Sequence, residues 1–339
     1  MRDRVKMQRD LENLLGEFLK SSVNALAKII TLVENGGPET LEVMKAIYSK
    51  TGKGYIVGIT GPPGAGKSTL TKKVAKDLCK RELTVGIIAV DPTSPFTGGA
   101  MLGDRLRMQD ISNDQGVFIR SMATRGALGG VSKATVEVTK ILDAFGKDFI
   151  LVETVGVGQD EVEIAKIADT VVLIAIPGQG DEIQALKAGI MEIGHIFVVN
   201  KADRDGAERL FMDLQMMLDL SPRKDSWRPP LLKAVATTGE GVEKLTEVIL
   251  YHKNNLEENG ILTKKRKDRI RREVIGLIEQ EIEGYVHKLI KYNYSFDEII
   301  EQITNRQKDP YSFVREITAP LGEYFKLNRK EWKGGRNGF

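Results

Sequence analysis

A complete phosphate-binding loop constrains the fold of this chain more than any other feature. Residues 61–68 match the pattern Gly-x-x-x-x-Gly-Lys-Ser, and they lie between the apolar run 55–59 and a helical pattern. The glycines let successive N–H groups point at phosphate oxygens, and the positive end of the following helix adds to the attraction. Lys67 is expected to reach the β- and γ-phosphates, and Ser68 to hold Mg²⁺. The loop therefore predicts a nucleotide site at the end of a strand.

Short runs that are apolar on both faces alternate with helical patterns after residue 54. Continuous hydrophobicity is typical of strands buried on both sides, as in a mostly parallel sheet with helices on each face. The pattern predicts a doubly wound α/β domain of the P-loop NTPase type. The six predicted strands lie at 55–59, 84–90, 148–153, 170–176, 195–200 and 231–236.

Helical patterns flank this domain, which suggests an N-terminal helical arm at 1–50, the nucleotide domain at 51–250 and a helical region at 251–335. The basic run 264–272 is expected to be a solvated helix face rather than a nucleic-acid patch. One face of the helix that follows must be covered, by the same chain or by another subunit. The apolar residues of that face are Val274, Leu277, Ile278, Ile282 and Val286.

Composition narrows the functional classes. The 339 residues include 50 basic and 47 acidic side chains, which is not the signature of a protein that binds nucleic acid in bulk. A single cysteine, Cys79, excludes an intrachain disulfide. No apolar run approaches the roughly 20 residues of a membrane span, so we expect a cytoplasmic protein without a membrane partner.

A second motif predicts the base. Asn200-Lys201-Ala202-Asp203 follows a predicted strand. An aspartate carboxylate accepts hydrogen bonds from the N1–H and 2-amino groups of guanine, and adenine has neither donor at these positions. The loop at 234–241 is expected to support the base through Ala236 and Thr237. Together these segments favour GTP over ATP.

Three carboxylates come at or after strand ends and are candidate magnesium ligands together with Ser68. Asp91 and Glu153 end predicted strands, and Asp104 lies in a Gly-rich segment. Ligands of doubly wound sheets bind at the carboxyl ends of the strands, and Mg²⁺ prefers oxygen ligands. These residues are therefore expected to organise the metal, directly or through water.

Gly-rich stretches at 98–103 and 156–158 and the segment 177–182 are predicted to change conformation with the γ-phosphate. Gln159 could orient the attacking water, and Lys187 or Arg105 could stabilise charge on the transferring phosphoryl group. The candidate catalytic residues are Lys67, Asp104, Gln159 and Lys187.

These motifs in this order resemble the MeaB-type GTPases associated with methylmalonyl-CoA mutase, which are also labelled ArgK-type. Glu153-Thr154-Val155-Gly156, where many GTPases have aspartate first, is characteristic of that branch. The resemblance is dense from about residue 56 to residue 241. The segments that carry it are GPPGAGKST, DPTSP, TGGAMLGDRLRM, TRGALGGV, LVETVGVGQDE, PGQGDEIQALKAGIMEI and NKAD.

The resemblance implies a homodimeric GTPase, with its C-terminal helices as the dimer interface. It implies that the partner is an adenosylcobalamin-dependent acyl-CoA mutase, whose cofactor delivery, protection and rescue the GTPase controls. By position, the phosphate-binding residues would be Gly61, Pro62, Pro63, Gly64, Ala65, Gly66, Lys67, Ser68 and Thr69, with Val235, Ala236 and Thr237 on the base side. Asp181, Gln184 and Lys187 would belong to a switch that relays nucleotide state to the mutase.

The chain departs from the usual family pattern at Arg105-Leu106, at Ser121-Met122-Ala123 and at Asp160, all at or near the switches. Three other functions stay open. They are a nickel-insertion GTPase, a kinase-type ATPase that acts on a transport component, and a nucleotide-gated scaffold in which hydrolysis is incidental. The scarcity of cysteine and histidine disfavours the nickel-insertion GTPase, and the guanine-type motif disfavours the kinase-type ATPase.

Overall fold

The computed structural model describes residues 2–91, 116–123, 133–156, 160–178, 191–220, 227–293 and 296–327. Contacts between residues group the chain into two compact units, and the division falls between Arg269 and Ile270. The first unit contains the whole sheet. Its seven strands are β1 Tyr55–Thr60, β2 Val85–Asp91, β3 Val117–Ala123, β4 Phe149–Glu153, β5 Thr170–Ala175, β6 Ile196–Asn200 and β7 Leu231–Ala234.

Helices precede the sheet, alternate with its strands and follow it. In chain order they are α1 Arg2–Leu19, α2 Val23–Asn35, α3 Pro38–Ile47, α4 Lys67–Lys80, α5 Lys133–Ala144, α6 Asp160–Ile167, α7 Ala207–Leu220, α8 Val242–Glu258, α9 Ile261–Asn293, α10 Phe296–Thr304 and α11 Pro310–Leu327. A 3₁₀ turn, Tyr48–Lys50, and a single helical turn, Met191–Ile193, complete the regular structure of the described residues.

The strands lie in the order β3-β2-β4-β1-β5-β6-β7, and every neighbouring pair is parallel. This arrangement confirms the predicted doubly wound α/β fold. Strand β1 lies at the centre, so the phosphate loop that follows it lies in the middle of the carboxyl edge. Doubly wound sheets bind their ligands at that edge.

Strand β3, Val117–Ala123, is absent from the sequence prediction. Its sequence, VFIRSMA, places a charged and a polar residue, Arg120 and Ser121, inside the run. An edge strand tolerates such residues because it pairs on one side only, here with β2. Arg120 donates a hydrogen bond to Thr31 (3.0 Å) and forms an ion pair with Glu34, both on α2.

Both faces of the sheet are covered by helices. Helices α4 and α8 pack on one face, and α1–α3, α5 and α6 pack on the other. Within α2, Leu26, Ile29 and Ile30 are fully buried in the second cluster, together with residues of β2 and β4. The N-terminal helices are therefore part of the core of the first unit.

The basic run that begins α9 binds the amino-end edge of the sheet, and the expectation of a solvated face is corrected here. Arg269 donates to the Asp169 carboxylate (2.6 Å), Lys265 to the Asp169 carbonyl (3.0 Å), and Arg266 to the Gly54 carbonyl (2.9 Å). Residues spaced by three or four positions share a helix face, so one stripe of the run reaches the sheet while its other side chains stay in water.

Two of the three histidines, although distant in sequence, are neighbours at the same edge. The rings of His195 and His252 lie 4.9 Å apart, and Trp227 packs 4.4 Å from His252. His252 is fully buried, and its Nδ1 shares a 2.7 Å hydrogen bond with Thr170. Burial, with a smaller contribution from the Lys265 charge, lowers the pKa of His252 to about 3. His252 is therefore a neutral structural residue.

The second unit consists of α9 from Ile270 onward together with α10 and α11. The apolar face predicted on α9 is exposed: four of its members show between 43% and 54% of their surface, namely Val274, Leu277, Ile278 and Ile282. None of the helices in the described part of the chain is long and apolar enough to span a membrane.

Candidate functional site

The phosphate loop connects β1 to α4, with Thr60 as the last residue of the strand and Lys67 as the first of the helix. Gly61 has φ +148°, and a Cβ atom at this position would lie 2.3 Å from the Ile174 carbonyl oxygen. Only glycine allows this approach to β5. Gly64, by contrast, borders open space, with no atom within 4 Å of where its Cβ would be.

The Lys67 side chain is bound within this loop. It is 6% exposed, and its ammonium donates hydrogen bonds to the carbonyl oxygens of Gly61 (2.8 Å), Pro62 (2.9 Å) and Val155 (3.1 Å). Phosphate oxygens would be stronger acceptors because they carry charge. The ammonium can therefore exchange a carbonyl for a phosphate without leaving the loop.

Ser68 and Glu153 place two oxygen ligands side by side. The Ser68 hydroxyl donates to the Glu153 carboxylate at 2.5 Å, and Glu153 ends β4, next to β1 in the sheet. A hydroxyl and a carboxylate at this separation suit a hard cation that prefers oxygen. The pair fits the predicted magnesium site, and both members were identified from the sequence.

Strand β2 brings Asp91 to the same edge of the sheet. Ala89 pairs with Glu153 in the register of β2 and β4, so the backbone of Asp91 extends two residues beyond Glu153. The backbone of Asp91 therefore lies at the carboxyl edge of the sheet, on the strand next to the one that ends in Glu153. Asp104, the third predicted carboxylate, lies outside the described residues.

Residues 153–156, named here the 153–156 segment, run beside the phosphate loop, and two of their contacts involve threonines that sequence reasoning missed. Thr60 and Thr154 share a hydrogen bond of 2.9 Å between their side-chain oxygens. Both side chains are buried, and the Thr154 N–H donates to Ile59 O at 3.1 Å. Thr154 belongs to the family signature at 153–156, but no pattern in the sequence gives either threonine a role or pairs the two.

Gly156, the last residue of the segment, packs against the phosphate loop. Its φ is +85°, and a Cβ atom there would lie 1.9 Å from the Gly61 carbonyl oxygen and 2.7 Å from Lys67 Nζ. Any side chain would push the backbone away from the loop. The segment therefore contacts the phosphate loop through both its first residue, Glu153, and its last residue, Gly156.

Asn200 joins the phosphate loop to both base-side segments. Its side-chain amide donates to the Ala65 carbonyl (2.6 Å), and its carbonyl accepts from the Ala236 N–H (3.1 Å). Asn200 is 1% exposed, so both bonds are shielded from water. The structure thereby brings together three segments that lie far apart in sequence.

The predicted base-binding residues differ in how far they are exposed to solvent. Lys201 adopts a left-handed conformation (φ +56°) after β6, which turns the chain so that the Ala202 N–H donates to the Ala234 carbonyl (3.1 Å). Asp203 and Thr237 are exposed, whereas Val235 and Ala236 are buried. An exposed carboxylate at this position is accessible to a base that lies against the loop.

Several predicted residues lie outside the described residues and therefore have no structural placement here. They are the catalytic and metal candidates Asp104, Gln159 and Lys187, the alternative Arg105, and the predicted switch residues Asp181 and Gln184. Asp160 is described only as the first residue of α6.

A family model described as "Methylmalonyl Co-A mutase-associated GTPase MeaB" matches residues 26–290. Among relatives, a Pyrococcus horikoshii protein that carries the GTPase name is 55% identical over 306 residues, covering 89% of this chain and 95% of the relative.

Two further relatives are more distant. The Escherichia coli GTPase ArgK is 33% identical over 301 residues, covering 86% of this chain and 91% of that protein. The mouse protein named methylmalonic aciduria type A homolog, mitochondrial, is 34% identical over 295 residues, covering 82% and 71%.

A solved structure shares the fold over nearly the whole chain. The crystal structure of a LAO/AO transport system kinase superposes with a TM-score of 0.68 at 25% identity, covering 92% of this chain and 97% of that one. This match agrees with the P-loop NTPase architecture derived above.

Proposed function

Because the chain belongs to the MeaB family of methylmalonyl-CoA mutase-associated GTPases, we propose that it controls adenosylcobalamin loading of an acyl-CoA mutase. In this proposal, GTP binding and Mg²⁺-dependent hydrolysis set the timing of cofactor delivery, and the protein also protects and reactivates the mutase. The family match across residues 26–290 carries the proposal. The likeness to the mouse methylmalonic aciduria homolog supports the same partner class.

Nucleotide binding would use the phosphate loop and the side chains that lie beside it at the carboxyl edge of the sheet. The backbone of the loop 61–66 and the N-terminus of α4 would bind phosphates, and the Lys67 ammonium would exchange a carbonyl oxygen for a phosphate oxygen. Ser68, Glu153 and Asp91 are the described residues proposed to hold the metal. Bound Mg²⁺ would neutralise charge that develops on the phosphates.

Selection of guanine would depend on Asp203. Its carboxylate can accept from both the N1–H and the 2-amino group of guanine, and with adenine the same carboxylate would lose both bonds. Asn200 would hold the phosphate and base segments in register through its bonds to Ala65 and Ala236. Lys201 and Thr237 would flank the base.

Communication with the mutase would run through the predicted switches. Gln159 would orient the attacking water, and Asp104 and Lys187 would act on the reacting phosphate. Asp181, Gln184 and Lys187 would form the surface through which the mutase senses the nucleotide. This assignment rests on the resemblance of the sequence to the family.

The function is tested by phosphate release from purified protein given GTP or ATP, with and without an adenosylcobalamin-dependent acyl-CoA mutase from the same source. We expect slow hydrolysis of GTP alone, and a rate that rises at least about tenfold with the mutase, because the partner completes such sites. An unrelated cobalamin-dependent enzyme serves as the control. A GTPase rate indifferent to the mutase would contradict the proposed partner, and a preference for ATP would contradict the proposed base site.

We also propose that the protein is a homodimer formed through the second unit. The apolar side chains of α9 are about half exposed within one chain, and such a continuous face is typical of a helix that packs on another subunit. Ile278 and Ile282 are one helical turn apart on this face.

Light scattering tests the dimer. We expect a mass about twice the 37.6 kDa of one chain, and we expect Ile278→Asp to halve it because a buried unpaired carboxylate opposes association. Glu281→Lys, an exposed change on the same helix, is the matched control and should leave the dimer intact. A wild-type mass of one chain at micromolar concentration would contradict the proposal.

A further inference from the structure

We propose that the buried hydroxyl pair of Thr60 and Thr154 is the fixed point about which the 153–156 segment rearranges when nucleotide binds. Thr154 is then a positioning residue for GTP hydrolysis, because it holds the backbone that leads to Gly156 in register with the phosphate loop. The inference deepens the proposed nucleotide site and rests on it.

The four residues of the segment each meet a different group of the loop or of the strand end before it. In chain order their partners are Ser68, Thr60, Lys67 and Gly61. The contacts are a hydrogen bond from Ser68 to Glu153, the threonine pair, a hydrogen bond from Lys67 to the Val155 carbonyl, and close backbone packing at Gly156. The segment is therefore attached along its whole length.

Two of these contacts use groups that a bound nucleotide needs. Lys67 Nζ is the proposed phosphate ligand, yet it donates to Val155 O at 3.1 Å. The Ser68 hydroxyl is a proposed metal ligand, yet it donates to Glu153 at 2.5 Å. A bound phosphate would replace one of the three carbonyl acceptors of Lys67 Nζ, of which Val155 O is one, and a metal held by Ser68 and Glu153 together would draw on the carboxylate oxygen that now accepts from Ser68. The segment thus senses whether the loop is occupied.

The threonine pair is different because no ligand competes for it. Thr60 and Thr154 are 0% and 1% exposed, and their side-chain oxygens lie 2.9 Å apart on neighbouring strand ends. Opening the pair would leave buried hydroxyls without a partner, which opposes its loss. The bond from the Thr154 N–H to Ile59 O holds the same point through the backbone. This contact should persist when the flanking ones exchange.

The threonine pair lies close enough in the chain to Gly156 to affect where the Gly156 backbone lies. Thr154 is two residues before Gly156, and two extended residues span about 7 Å. A small rotation at Thr154 therefore displaces the Gly156 backbone, which lies against the Gly61 carbonyl oxygen and close to Lys67. Displacements of about 1 Å near reacting groups can lower rates about 100-fold.

The test compares Thr154→Val, Thr60→Val, the double variant and Thr154→Ser. We would measure GTP hydrolysis with Mg²⁺, GDP affinity and thermal unfolding for each. We expect Thr154→Val to lower kcat at least about tenfold with GDP affinity within about twofold of wild type, since the phosphate ligands remain. Thr154→Ser should restore most of kcat. The double variant should be no slower than either single variant, because the two hydroxyls act as one bond.

A matched control separates positioning from stability. Thr246 is a fully buried threonine in α8 whose hydroxyl donates to Val242 O at 3.1 Å, within its own helix. Thr246→Val should shift thermal unfolding by an amount similar to Thr154→Val while leaving kcat unchanged. If Thr154→Val does not fold, Thr60→Val removes the same bond from the other strand.

Three results would overturn the inference: a normal kcat in Thr154→Val, equal losses of kcat and GDP affinity in both valine variants, or additive losses in the double variant. Failure of the proposed function itself gives a different result, because the wild-type protein would then hydrolyse GTP at a rate indifferent to the mutase, or prefer ATP, whatever the threonine variants do.

Discussion

Lys67→Ala should lose GTP and GDP affinity at least about 100-fold. The Lys67 ammonium is proposed to make charge-assisted hydrogen bonds to two phosphates, each of which contributes about 1.5–3 kcal/mol. Every 1.4 kcal/mol corresponds to a factor of ten in affinity. Calorimetric or fluorescence titration with a labelled guanine nucleotide measures the loss directly.

Lys80→Ala is the matched control for this variant, because Lys80 is exposed and ends the same helix that Lys67 begins. It removes the same charge without touching the loop and should bind nucleotide normally. Thermal unfolding of both variants without nucleotide checks the fold, since Lys67 also binds the Gly61, Pro62 and Val155 carbonyls. Wild-type affinity in Lys67→Ala would show that the nucleotide lies elsewhere.

Asp169→Ala should lower the free energy of unfolding by about 3–5 kcal/mol, the cost typical of removing one partner of a buried ion pair. Asp169 is fully buried directly before β5, and its carboxylate accepts from the Ile56 N–H (2.9 Å) and from Arg269 (2.6 Å). Arg266 lies 3.7 Å from the same carboxylate. The alanine variant would take this acceptor from Arg269 and from the Ile56 N–H, and would remove the charge that lies near Arg266.

Chemical denaturation monitored by tryptophan fluorescence is a suitable measurement, because one of the two tryptophans, Trp227, packs against His252 at the same edge of the sheet. Asp10→Ala, an exposed change on α1, should alter the free energy of unfolding by less than about 0.5 kcal/mol. GDP affinity should stay near wild type in folded Asp169→Ala, since the site lies at the opposite edge. A loss below 1 kcal/mol would mean that the cluster contributes little to stability.

Local sequence patterns sufficed for the fold class and for the position of the phosphate loop. The loop and the Asn200–Asp203 motif are each contiguous, so each can be recognised from a few neighbouring residues. Six of seven strands were evident because continuous apolar runs mark strands buried on both faces. Strand β3 was missed because its edge position permits Arg120 and Ser121 within the run.

The pairings at the site and at the opposite edge depended on tertiary structure. Thr60 and Thr154 are 94 residues apart, and Asp169 and Arg269 are 100 apart. Neither pair has a spacing rule, since the register of parallel strands and the docking of a helix bring the partners together. The same reason explains why the basic run of α9 was expected to face water and why the contact between His195 and His252 was not foreseen.

The sequence by itself determined the kind of protein: a buried strand, a phosphate loop after it, a guanine-type motif and the family to which these belong. Each of these follows from neighbouring residues, whose conformations and hydrogen-bonding groups are set locally. Only the tertiary structure decided that the 153–156 segment is attached residue by residue to the phosphate loop and the strand end before it, and that the basic run at the start of α9 reaches Asp169. Those contacts arise from long-range packing, which local periodicity does not encode.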